Sequence, residues 1–139
     1  MFTVDLESVE LPEQEGLRHA FPMHEGTGGA STAVVLFELD PGAELASHTD
    51  SAEEILVVLQ GSAEATVGDE RGPLAAGQAA LVPASVPHGV RNTGPETLRV
   101  LGFFSASTIL SRFEEPPVPG APQLFVNGAP PELPVPLAG

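Results

Sequence analysis

Between Thr32 and Ala106 the chain never runs far without a turn signal, and this punctuation excludes most folds. Short runs rich in Val, Leu, Ile, Phe and Thr occupy 32–39, 53–60, 62–67, 78–82, 88–91 and 96–106. Between them lie Asp40-Pro-Gly42, Gly61, Gly68-Asp69, Gly72-Pro73, Gly77, Pro83 to Pro87 and Gly94-Pro95. Intervals this short suit strands joined by turns, so an all-β sandwich or barrel is expected. The one stretch with helical spacing, Ile109/Leu110/Phe113, predicts about two turns that stop at Glu115 before Pro116-Pro117.

A chain of 139 residues supports one core and therefore one site. We divide it into an irregular N-terminal arm over 1–30 with room for one strand, a barrel over 31–115, and a Pro-rich tail over 116–139. Leu124, Phe125, Val126, Leu133 and Val135 in the tail are expected to pack on the barrel or on a partner subunit.

Charge narrows the partners. Nineteen acidic residues against five basic ones, all arginine, give a formal charge of −14, which disfavours nucleic acid and anionic membrane surfaces. Without Cys, Lys, Tyr or Trp the chain has no thiolate ligands, thiol nucleophiles, lysine Schiff bases or tyrosine acids. The opening Met-Phe-Thr-Val-Asp-Leu-Glu is not a secretory signal, and no apolar run approaches a bilayer span, so a cytoplasmic location is expected.

Four histidines remain to be searched. His48 and Asp50 are two apart and share one face of a strand. On a straight strand Glu54 would lie about 20 Å from His48, so 49–53 must turn back if the three act together. Glu54, Leu56 and Val58 then face one way and Ile55, Val57 and Leu59 the other. A strand apolar on both faces is expected between the barrel interior and a covering surface, which points to a homodimer. A carboxylate at its start needs a cation or donors if buried. Farther on, Pro83 and Pro87 fix a loop that delivers His88 to a strand ending at Asn92.

These two segments resemble the paired motifs of the cupin superfamily, of the small single-domain, quercetin dioxygenase-like kind. Gly42, His48, Glu54 and Gly61 match the first motif, and Gly77, Pro83, His88 and Asn92 the second. Asp50 stands where the second His of His-x-His is usual, and Ser85 replaces a loop glycine. The resemblance implies a jelly-roll β-barrel binding one divalent transition metal ion, Mn, Fe, Ni or Zn, through His48, Asp50, Glu54 and His88. Asp is shorter than His, so a displaced ion or a water bridge at Asp50 is expected. The resemblance also implies a metal-dependent, dioxygenase-like oxidoreductase acting on a small oxygenated substrate, with Glu54 as the catalytic base. A non-catalytic binding module, or an isomerase or decarboxylase, would use the same residues.

Elsewhere the plainer readings win. His19 and His24 are expected to be exposed or packing histidines, Glu53 a surface residue, and Arg91 and Arg99 partners of surface carboxylates. Phe103 and Phe104 are expected in the core or lining a pocket. Ser85 lacks the elbow and orienting acid of a serine nucleophile.

Overall fold

The structure, a computed structural model, describes residues 1–128; positions 129–139, including Leu133 and Val135, lie outside the described residues. Among the described residues twelve strands form two six-stranded antiparallel sheets. They are β1 (Glu13–Gln14), β2 (Leu17–Met23), β3 (Ala33–Leu39), β4 (Glu44–Asp50), β5 (Glu54–Gln60) and β6 (Ser62–Val67), followed by β7 (Glu70–Ala75), β8 (Ala79–Val82), β9 (His88–Asn92), β10 (Leu98–Phe104), β11 (Ile109–Phe113) and β12 (Leu124–Asn127). One sheet runs β1-β2-β3-β10-β5-β8 and the other β12-β11-β4-β9-β6-β7. This is the expected all-β jelly-roll barrel. The described residues contain no α-helix, and no helix long and apolar enough to cross a membrane.

Alternation builds the core. Phe37 and Leu39 of β3, Leu56 and Val58 of β5, Val90 of β9 and Leu98 and Val100 of β10 are all buried between the sheets. At one end Asn92 closes the barrel: its side chain donates to Leu39 O and Glu96 O at 3.0 and 2.8 Å and accepts from Gly94 N at 2.9 Å. Gly61, where the chain passes from β5 to β6 and so between sheets, has φ 91°, and a Cβ there would press on the Leu98 backbone at 3.2 Å.

Three local expectations are corrected. Residues 109–113 form strand β11, not a helix, because β4 and β12 pair with them on both sides. Gly72-Pro73 lies within β7 rather than in a turn; β7 is an edge strand, where a proline without an N–H is tolerated. Phe104 is buried but Phe103 is 44% exposed, since adjacent residues of β10 point to opposite faces. Of the N-terminal 30 residues, 13–14 and 17–23 are strands, and β2 is hydrogen-bonded to β3.

Candidate metal centre

Three elements from both sheets converge at the open end of the barrel. β4 carries His48 and Asp50 on one face, bends at 51–53, and crosses to the opposite sheet, where Glu54 starts β5. The turn expected over 49–53 is thus a passage between sheets. His88 opens β9 and is the cross-strand partner of His48; a register shift between Leu45 and His48 turns the imidazole inward. The loop before it is tied to β4, with Ser85 N donating to Asp50 O at 2.8 Å. Ser85 holds φ 63°, so the position wants glycine for a backbone reason.

All four residues are buried, none more than 6% exposed. His48 Nδ1–H donates to Ala46 O at 2.7 Å and His88 Nδ1–H to Val86 O at 2.9 Å, so each ring turns its Nε2 toward the centre. Asp50 Oδ2 lies 3.0 Å from His88 Nε2 and 3.5 Å from His48 Nε2, and Glu54 Oε1 lies 3.5 Å from His88 Nε2. His48, Asp50 and His88 offer ligand atoms within 4.8 Å of one another, while Glu54 stands beside them on the His88 side. Asp50 Oδ2 and His88 Nε2, although close, are not aligned for a hydrogen bond, and both are buried without one.

These spacings pass a geometric test. Ligand atoms each about 2.1 Å from one ion stand about 3.0 Å apart at octahedral corners and about 3.4 Å apart at tetrahedral ones. The 3.0 and 3.5 Å separations of Asp50 Oδ2 from His88 and His48 are of that size, so His48, Asp50 and His88 make a nitrogen/oxygen donor set suited to a divalent ion, whereas Glu54, 3.5 Å from His88 Nε2, lies outside that three-residue cluster.

Without a cation the same groups hold a proton. Burial pushes the His88 imidazole down, but the Asp50 and Glu54 carboxylates outweigh it and bring it to about 10. Burial likewise opposes ionisation of Asp50, yet His48, His88 and Ser111 hold its carboxyl well below the usual range. At Glu54 burial wins and the carboxyl rises.

Sequence reasoning missed the groups that hold these residues. Ser111 sits opposite Asp50 across β4 and β11 and donates from Oγ to Asp50 Oδ1 at 2.6 Å, while Asn127 of β12 donates to Ser111 Oγ at 2.8 Å. Phe113 stacks on the His48 ring with centroids 4.7 Å apart. Gly102 leaves room for the Glu54 carboxylate, because a Cβ there would collide with Glu54 Oε2. The alternation Ile109, Ser111, Phe113 was the available signal.

The remaining candidates keep their plain roles. Glu53 is exposed, and His24 accepts from Gly26 N at 2.9 Å. Arg91 pairs with Glu64 at 3.6 Å, and Arg99 with Glu38 and Glu7 at 3.2 and 2.8 Å. His19 is exposed on β2 at the edge of the cavity above the centre.

Residues 35–104 match the family model of the Cupin_2 cupin domain. The chain belongs to the cupin family. Over 78 residues this cupin is 35% identical to auxin-binding protein 1 of Arabidopsis thaliana, a match spanning 50% of this chain and 39% of that protein. A mutant of Bacillus subtilis oxalate decarboxylase superposes with a TM-score of 0.72 and 24% identity over 78% of this chain and 31% of that one. The polyketide cyclase RemF of Streptomyces resistomycificus gives 0.65 and 22% over 75% and 78%, and KdgF from Halomonas sp. 0.63 and 23% over 76% and 93%. At these identities the structures show a shared fold alone. This cupin spans about a third of the oxalate decarboxylase chain and well under half of the auxin-binding protein.

Proposed function

We propose that this cupin binds one divalent transition metal ion through His48, Asp50, Glu54 and His88, and that it is a metal-dependent oxidoreductase of dioxygenase-like type acting on a small oxygenated substrate. The observation that supports this best is the pair of Nδ1–H bonds to Ala46 O and Val86 O. They aim two Nε2 atoms at a buried Asp50 oxygen that has no hydrogen bond of its own. Direct ligation by Asp50 Oδ2 fits the donor spacing without a bridging water. A divalent ion there would supply Lewis acidity and exchangeable positions for oxygen ligands. The chain's own residues would do the rest. Phe113 and the Ala46 carbonyl would fix His48, Ser111 would fix Asp50, and Glu54 would take a proton from the substrate at an Oε atom.

Elemental analysis should find one ion per chain, and His48→Ala and His88→Ala should each abolish stoichiometric binding. Failure of Mn, Fe, Ni, Co and Zn all to bind would remove the proposal. Oxygen uptake by the loaded protein separates the oxidoreductase from the second reading, a module that binds a small molecule without turnover. The name of auxin-binding protein 1 favours that second reading, and the names of the oxalate decarboxylase and polyketide cyclase structures favour a decarboxylase or cyclase-like enzyme.

We also propose that the chain works as a homodimer. On the outer side of one sheet Phe103 of β10, Ile55 of β5 and Leu81 of β8 lie in register on neighbouring strands, each at least 44% exposed. Light scattering at micromolar concentration should report a dimer, and Leu81→Glu should dissociate it.

A further inference from the structure

The walls of the cavity over the centre differ in kind from its floor. Five of the seven phenylalanines of the chain line it: Phe21, Phe37, Phe104, Phe113 and Phe125. Phe21 and Phe104 stack at 6.0 Å on one sheet, and Phe113 and Phe125 meet edge to face at 5.6 Å on the other, so each sheet contributes an aromatic pair to one cavity of about 130 Å³. The buried ionisable residues His48, Asp50, Glu54 and His88 make its floor, and Gln14, His19, Ser111 and Asn127 are the other polar residues in its lining.

Positive charge is missing from those walls. No arginine lines the cavity, the chain has no lysine, and residues 129–139 contain neither. Arg18 is held by Glu13, Glu38 and Asp40, and Arg99 by Glu7 and Glu38, all outside the cavity. Among the described residues the one other titratable lining residue, His19, is exposed. Two carboxylates at the floor would just balance a divalent ion. A dianionic ligand would therefore bring two charges into an apolar enclosure whose walls carry no cationic side chain, toward a centre with no net charge to offset them.

We infer that the ligand of this site is an uncharged, flat, largely aromatic molecule that presents one oxygen-bearing edge to the floor, and that small dicarboxylates are excluded. The inference deepens the metal-centre reading and rests on it for where the oxygen edge sits; the preference for an uncharged ring rests on the walls.

The test uses the purified full chain, with and without added Mn²⁺, and two probes: 2-naphthol and oxalate. With no Trp or Tyr in the protein, naphthol emission can be followed directly, and calorimetry reads oxalate. Naphthol should bind at least tenfold more tightly than oxalate. Phe113→Leu and Phe125→Leu should each weaken it by about three- to tenfold through loss of a ring contact. Phe125→Arg, which places a cation on the half-buried wall, should reverse the order. Oxalate binding as tightly as naphthol, or naphthol binding indifferent to both leucine variants, would overturn the inference. If naphthol binds and no metal does, the metal reading fails while this inference stands; if Mn²⁺ binds and oxalate is preferred, the reverse holds.

Discussion

A methyl group at position 102 would test whether the Glu54 carboxylate sits where it does because a glycine faces it. Gly102 is buried on β10 beside β5, at an ordinary strand conformation, so alanine does not strain the backbone. Its Cβ would overlap Glu54 Oε2 and reach 2.7 Å from Val35 Cγ1, closer than packed carbons approach. Glu54 is 3% exposed and cannot swing into solvent, so the carboxylate must turn within the cavity and leave its place 3.5 Å from His88 Nε2. Overpacking of this kind costs about 1–3 kcal/mol, while replacing a strand glycine returns about 0.5–1 kcal/mol. The net loss should be about 1–2 kcal/mol, a fall in Tm of about 3–8 °C. Calorimetric titration should show metal affinity reduced about tenfold if Glu54 is a ligand. The decisive comparison is Gly102→Ala in a Glu54→Ala background, where the methyl meets no carboxylate and the loss should shrink by about 1 kcal/mol or more. Equal losses in both backgrounds would refute the argument.

Ser111→Ala removes a charge-assisted hydrogen bond and frees Asp50 Oδ1, so metal affinity should fall about 10- to 100-fold by titration, with Ser111→Thr restoring most of it. Metal uptake must displace the proton that His88 holds up to about 10, so between about pH 6 and 9 affinity should rise about tenfold per pH unit, with one proton released in calorimetry across buffers. In the metal-free protein the His88 contribution to stability is fully present below its unfolded value of 6.5 and is lost as pH rises through about 10; that of Asp50 is present above 3.8 and lost as pH falls below it. Thermal melts should therefore show the high-pH loss in the wild type and not in His88→Ala. Ser85→Gly relieves a left-handed residue costing about 1–2 kcal/mol against about 0.5–1 kcal/mol of added unfolded-chain entropy, and should raise Tm slightly in thermal melts.

The convergence of His48, Asp50 and His88 was legible from their spacing within the cupin-like motifs, and Glu54 stood out because a carboxylate opening the apolar strand β5 is anomalous. Ser111 and Asn127 were not, since serine and asparagine near a chain end are ordinary surface residues until strand pairing sets them against Asp50. That pairing is a tertiary fact: β11 spans five residues, and Ile109, Leu110 and Phe113 satisfy a helical spacing as readily as a strand alternation. Pro73 misled for a related reason, because whether a proline breaks a strand depends on the strand lying at an edge. The aromatic walls were illegible too, being drawn from β2, β3, β10, β11 and β12, with no spacing to announce them.

The departure at Asp50 and the composition of the cavity are parts of one electrostatic arrangement. A carboxylate in place of an imidazole adds a negative charge to a buried floor that already holds Glu54, and such a pair is tolerable only with a compensating cation. In the metal-free chain His88 meets that need by holding a proton between the two carboxylates. A divalent ion would meet it more fully, bringing the set of two imidazoles and two carboxylates to neutrality. Asp50 can serve such a centre because Ser111 occupies one of its oxygens, leaving Oδ2 to face the two imidazoles, and Asn127 fixes Ser111 in turn. Neutrality at the floor then removes any need for arginine on the walls, and phenylalanine can occupy them. A centre with one carboxylate would keep a net positive charge and attract anions; with two, only its exchangeable positions would draw them, and the rings above would weigh more in selectivity.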